Sequence, residues 1–209
     1  MTIPTHTPAK KSFIIPYITL AEAVAAEWSS GKKYTPVNMP LTALVYTALD
    51  KIAGKKADIV EVLMVYVDSD TLTYRASSSE KLAQEQEEKW GAVLKWAGAR
   101  FDVAWAVTSG VMPVEQSEHL HKTIARYLAS LSDFQLSAFC VLSSLFSSLV
   151  LAIAVCEEYI SAENAFALSR LEEEFTAEQW GRDEEADKRA ENMKIEVLYA
   201  ERFLRLLKA

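Results

Sequence analysis

Gln135-Leu-Ser-Ala-Phe-Cys-Val-Leu-Ser-Ser-Leu-Phe-Ser-Ser-Leu-Val-Leu-Ala-Ile-Ala-Val-Cys156 runs for twenty-two residues without a charge. As a helix it is long enough to cross a ~30 Å hydrocarbon core. A helix that is apolar all round is also what fills the centre of a helical bundle. Gln135 and five serines (Ser137, Ser143, Ser144, Ser147 and Ser148) would sit in lipid with weak driving force, and no aromatic belt or basic flank marks the ends. The stretch therefore reads as the buried core helix of a water-soluble, mainly α protein. A single membrane span over about 135–156 is the alternative.

The composition around it agrees with helix. Half of the 209 residues are hydrophobic, enough for a sizeable core, and only 6 Gly and 6 Pro interrupt them. Many Ala, Leu, Glu and Lys with so few breakers favour helices over a sheet-rich fold. The net charge of −7 and the absence of any basic cluster beyond pairs such as Lys10-Lys11, Lys32-Lys33 and Lys55-Lys56 argue against a nucleic-acid partner. Met1 to Phe13 offers neither an apolar secretion segment nor an arginine for a transit peptide, so a reducing, cytosol-like compartment is expected. Cys140 and Cys156 are sixteen residues apart, about 24 Å along a continuous helix at ~1.5 Å per residue, so they cannot bridge and are expected as buried free thiols.

Working outward, Thr19-Leu-Ala-Glu22 has the spacing of a capping box and opens a first helix that reaches Trp28. Ser29 to Asn38 reads as loop. Met39-Pro40-Leu41 opens a second helix with Leu41, Leu44, Val45, Ala48, Leu49 and Ile52 on one stripe. Ile59 to Val67 suits strand or helix. Thr71 to Arg75, after the Asp68-Ser69-Asp70 turn signal, predicts a strand, and the alternation of Phe101, Val103, Trp105 and Val107 with smaller or polar residues predicts another. Ser77 to Ser79 caps a helix extending to the neighbourhood of Gly98. Helices are expected over about 114–131, 134–158, 162–180 and 183–207. The division falls in the Ser77–Ser79 cluster, giving parts over 1–78 and 79–209.

The functional signal lies near the C-terminal end. Residues 171–185 read Leu-Glu-Glu-Glu-Phe-Thr-Ala-Glu-Gln-Trp-Gly-Arg-Asp-Glu-Glu, and Glu157 to Glu191 holds twelve acidic side chains against four basic ones, a local net of −8. One sign concentrated in a patch is an argument about partners and encounter rates. At ~100° per residue, Glu178 falls on the apolar stripe of Leu171 and Phe175 with Glu174 at its edge, while Glu173 and Trp180 fall opposite. A core-facing carboxylate needs a partner, from this chain or from another protein. An outward Trp beside an acid points to a binding surface, because Trp is the residue most enriched at binding hot spots.

Sites for chemistry are not indicated. His119 and His121 are about 200° apart around a helix and cannot converge on a metal, and His6 lies in the tail. Glu118-x-x-His121 stands alone, so the Glu-x-x-His pair of the di-iron bundle type is absent, and no phosphate-binding glycine loop or nucleophile elbow occurs. No cofactor is implied, and nothing supports an enzyme.

Several segments together resemble the ATP12 family, assembly chaperones of the F1 sector of ATP synthase. Pro8-Ala9-Lys10 with Ile14-Ile15-Pro16 is similar to the family's opening, and Leu20 to Trp28 to its first helix. Met39-Pro40-Leu41-Thr42 with Thr47-Ala48-Leu49-Asp50, then Asp68-Ser69-Asp70 with Tyr74-Arg75-Ala76, and Leu171 to Ala186 come in the family's order. The resemblance implies a small N-terminal α/β domain (1–78) followed by a larger all-helical domain (79–209), with 59–67 as helix. It implies a chaperone that holds the unassembled F1 ATP synthase α subunit until the β subunit replaces it. Glu173, Glu174, Trp180, Gly181, Asp183 and Glu185 match the family's acidic and Trp-Gly motif and are the candidate partner surface. Family members usually carry an additional β stretch before the segment that starts here near Thr5, so a reduced N-terminal sheet is expected. Gly91 and Thr176 replace a usual acid and glutamine. The Trp-Gly-x-Asp-x-Glu-Ala ending is similar to bacterial members, implying a bacterial cytoplasm, or the mitochondrial matrix for a eukaryotic source.

Overall fold

A computed structural model describes residues 4–31, 33–110 and 112–208; of the lysine pairs and the 29–38 loop, Lys32 lies outside that range. The protein is mainly α. Helix α1 (Ile18–Ser29) turns its buried face, Leu20, Val24 and Trp28, onto α2 (Pro40–Tyr46). Pro40 begins α2, and the carboxylate of Glu27 accepts from the N–H groups of Leu41 (2.9 Å) and Thr42 (2.8 Å). An acid from one helix thus supplies the acceptors that the first turn of the next lacks. A π-helical turn, Thr47–Ile52, continues α2 and carries Asp50, which accepts from the hydroxyl of Thr7 and the N–H of Ala9. The Thr-Ala-Leu-Asp motif therefore fastens the N-terminal segment.

Helix α3 (Lys56–Met64) settles the ambiguous 59–67 segment as mostly helix. The 71–75 strand shrinks to β1 (Tyr74–Arg75), because Thr71–Thr73 forms a 3-10 turn with the Asp70 carboxylate accepting from Leu72 N–H. Helix α4 (Glu80–Phe101) is capped by Ser79, as the serine cluster predicts. It runs on to Phe101 and ends at Asp102 with φ 53°, so the strand expected at 101–107 is corrected. The chain is then irregular up to β2 (Thr108–Ser109), which pairs in parallel with β1. The alternation reflects an extended segment whose partner is a side chain: Gln116 exchanges two 2.9 Å hydrogen bonds with the backbone of Ala106.

The remaining elements are α5 (Glu118–Ser130), α6 (Asp133–Phe146), α7 (Leu149–Cys156), α8 (Ala162–Ser169), α9 (Leu171–Trp180) and α10 (Glu184–Leu206). The decisive apolar stretch is thus two helices. Ser147 takes φ 51° and ends α6, and Ser148 restarts the chain by capping α7 through Leu151 N–H. Every residue of Leu149–Val155 is buried. Among the described residues no helix is long and apolar enough to cross a membrane. The 162–180 helix also breaks, at Arg170. The capping box at Thr19 does not form. Helix α1 starts at Ile18 with Tyr17 before it, and the Thr19 hydroxyl donates to Leu206 O (2.7 Å), tying α1 to the end of α10. Cys140 and Cys156 are unbridged, as expected, and pack partly buried against the core.

At the centre of the core, α6 packs against α7, α10 and the π-helical turn, and α4 and α8 also pack against α7. Trp90 of α4 is fully buried, with its indole N–H donating to Leu168 O (2.9 Å). That bond fixes the point from which α9 departs.

Candidate partner-binding face

Leu171 and Phe175 are the buried residues of α9, with Lys81 of α4 lying over the Phe175 ring at 5.6 Å. A second anchor is polar. The fully buried Gln86 of α4 accepts from Ala76 N–H (2.7 Å) and donates to the Glu172 carboxylate (2.6 Å). The Tyr-Arg-Ala motif is in this way linked through one glutamine to the first turn of the acidic helix. Three acids at that first turn, Glu172, Glu173 and Glu174, lie at the positive end of the helix, where carboxylates are favoured.

Gly181 ends α9 at φ 97°, its N–H donating to Ala177 O (2.9 Å), and space is open where a Cβ would stand. A positive φ of this size strains any residue but glycine. The chain then reverses into α10, where Asp183 caps by accepting from Glu185 N–H (2.9 Å). Arg182 spans the turn, reaching Glu174 (2.6 Å) and Asp187 (3.2 Å), and these two carboxylates raise its pKa above the ordinary arginine value. Glu185 pairs with Arg189 one turn further (2.9 Å).

Glu173, Glu174, Gly181 and Asp183 line one groove of about 750 Å³ between α9 and the start of α10, with Thr71 and Ser147 also in its lining. Trp180 and Glu185 lie outside that lining. Trp180 stands 85% exposed at the end of α9, and Glu173 is exposed with it, as the helical phase predicts. Glu178 is a correction: it is exposed, because α9 is short and its apolar contact ends at Phe175, one turn before the stripe would reach residue 178. Sequence reasoning missed Arg182, whose neutralisation of Glu174 and Asp187 comes from a turn geometry that charge counting does not contain. It also missed Arg170, which lines the groove and lies 5.9 Å from the Phe166 ring.

The two thiols are held back from reactivity by burial, Cys140 pushed up to about 11 and Cys156 to about 12. His119 and His121 go to different partners, Asp102 O (3.3 Å) and the Asp68 carboxylate (2.9 Å). The α9–α10 turn combines acids, of which Glu174, Asp187 and Glu185 are held by arginines, with an exposed indole, which suits recognition of a basic or amphipathic protein surface.

Comparison with known proteins supports the resemblance read from the motifs. The ATP12 family, described as ATP12 chaperone protein, matches residues 3–98. The crystal structure of Atp12 from Paracoccus denitrificans superposes with a TM-score of 0.93 at 37% identity, over 98% of this chain and 88% of that one. A structure from Agrobacterium tumefaciens gives 0.88 at 35% identity, over 97% and 75%. The protein named "Protein atp12, mitochondrial" from Schizosaccharomyces pombe is 28% identical over 178 residues, which take in 80% of this chain and 61% of the length of that protein.

Proposed function

The chain belongs to the ATP12 chaperone family, and from that premise we propose that it is an assembly chaperone of ATP synthase whose client is the unassembled F1 α subunit. In this reading it shields the face of α that β later covers. It performs no chemical step of its own and works in the bacterial cytoplasm, or in the mitochondrial matrix for a eukaryotic source. Glu173, Glu174, Trp180, Gly181, Asp183 and Glu185 form the docking surface. The observation that carries the assignment of this surface is Trp180 at 85% exposure, within the stretch 170–191 whose nine acids outnumber its four bases. An indole left so exposed contributes little to its own fold, and its apolar area becomes useful when a partner covers it.

The test is co-purification of the chain with separately expressed F1 α and β subunits. It should retain α and not β, and addition of β should release it. Retention of neither subunit, or ATP turnover by the chain after contaminating F1 is removed, overturns the proposal.

A further inference from the structure

Arg75 is 9% exposed, and its guanidinium is only partly satisfied. Nη1 donates to Leu72 O (2.7 Å) and Tyr74 O (3.0 Å), and Nε donates to one carboxylate oxygen of Glu87 (3.0 Å). Nη2, sealed from water, has no acceptor among the described residues. Nε and Nη2 form the edge of a guanidinium that takes both oxygens of a carboxylate at once, so a two-pronged site is here half filled. The acid that half fills it is loosely held, because the Glu87 side chain is 70% exposed.

Arg75 and Glu87 lie in a cleft of about 380 Å³ between α4 and the extended segment 103–107. Glu87, Gly91 and Lys95 follow at intervals of four along its α4 wall, on one face of the helix. Gly91 leaves room for the acid: a Cβ there would stand 2.9 Å from Glu87 Oε1. Gly98 brings the opposite wall close, since a Cβ there would meet Val103 O at 2.8 Å. That wall carries Val107, 44% exposed, and Trp105, whose buried indole N–H also lacks an acceptor among the described residues. Two donors without acceptors, a second cation in Lys95 and apolar side chains thus share one cleft. Buried donors are nearly always paired, so two unpaired ones beside the same cleft point to an acceptor supplied from outside.

We propose that this cleft binds a carboxylate carried on an apolar body, the chemistry of a peptide's C-terminal residue or of a free carboxylic acid, and that Glu87 occupies half of the site in its absence. The incoming carboxylate takes Nε and Nη2 of Arg75 together, and Glu87 swings into water. Lys95 draws the anion in, while Trp105 and Val107 cover the apolar part. The cleft shares no lining residue with the acidic groove, so the site is independent of the client surface proposed above.

The experiment follows the indole N–H signal of Trp105, identified by its loss in Trp105→Phe, in nitrogen-15 NMR spectra of the full chain titrated with N-acetyl-leucine. The signal should shift saturably, and N-acetyl-leucinamide, which lacks the charge, should leave it in place. Glu87→Gln keeps an acceptor for Nε but removes the competing charge, so it should lower Kd roughly threefold or more. Lys95→Glu should raise Kd roughly tenfold. Tighter binding of N-acetyl-leucine than of hexanoate assigns the site to a peptide C-terminus, and the reverse assigns it to a free carboxylic acid. An Arg75–Glu87 pair that serves only the fold predicts no shift with either acid, or weaker binding in Glu87→Gln, and either result overturns the proposal. An equal shift with N-acetyl-leucinamide or with inorganic phosphate overturns it as well, because the carboxylate or the apolar body would then not be what is recognised.

Discussion

A carboxylate at 1% exposure persists only where donors converge on it, and Asp70 has three: Leu72 N–H (3.0 Å), Ser148 Oγ (2.8 Å) and Val150 N–H (2.9 Å). Two of these belong to the start of α7. Asp70 therefore fastens the Asp-Ser-Asp turn to the core and satisfies backbone groups that the helix start leaves open. Burial raises its pKa above the ordinary 3.8, against the downward pull of the same donors. The folded state then keeps the proton to higher pH than the unfolded chain does. The stability Asp70 contributes is fully present below the ordinary carboxylate range and is lost as pH rises through the raised value. Asp70→Ala strands two backbone N–H groups and a hydroxyl, a loss of about 3 kcal/mol. Urea titrations of the two proteins should show a larger gap at pH 4 than at pH 8; a gap that widens with pH would contradict this assignment.

At the scale of elements, the apolar run 135–156 tests what patterning can reveal. Its burial was legible, because twenty-two residues without a charge must be hidden from water. Its break was not. Ser147 adopts a left-handed φ that glycine usually marks, and the bonds that place the break come from distant residues, with Thr71 N–H and Oγ1 both donating to Ser147 O. Gln116, which pairs with the segment read as a strand, and Arg182 at the α9–α10 turn were hidden at shorter range: their partners lie ten, eight and five residues away, and what brings them together is the bend of the chain and not a helical or strand period. Local spacing reports faces and ends, whereas a partner forty or eighty residues away leaves no local trace. Trp180 and Glu173 were legible for the converse reason, since outward placement comes from helical phase alone. Helix α7 supplies the test. Val150 is fully buried, so Val150→Asp places an unpaired carboxylate in the core at a cost of several kcal/mol, comparable with a small domain's whole stability. Circular dichroism should show an unfolded or strongly destabilised chain, and a wild-type melting temperature would mean that this helix is not packed as described.

For the molecule as a whole, charge and packing are segregated. The core gathers around α6 and α7, while the acids concentrate on the exposed turn from α9 into α10, where Arg182 and Arg189 offset only part of them. Such a field acts before contact. Changing Glu173 and Glu174 together to Lys should slow association with the F1 α subunit. It should leave helical content nearly unchanged, because Glu173 is exposed and the Glu174 carboxylate pairs with the surface residue Arg182. The wild-type rate should itself fall with salt as the screening length shrinks from ~10 Å at 0.1 M to ~3 Å at 1 M, and the reversed variant should lose most of that dependence. Trp180→Ala should behave differently. It removes a contact made only once the partner is seated, so release should quicken by an amount corresponding to ~2 kcal/mol, with little sensitivity to salt. Stopped-flow association and dissociation at two salt concentrations separate the two effects. If both variants fold and bind α as the parent does, the acidic turn is a solvated face and the client is held elsewhere.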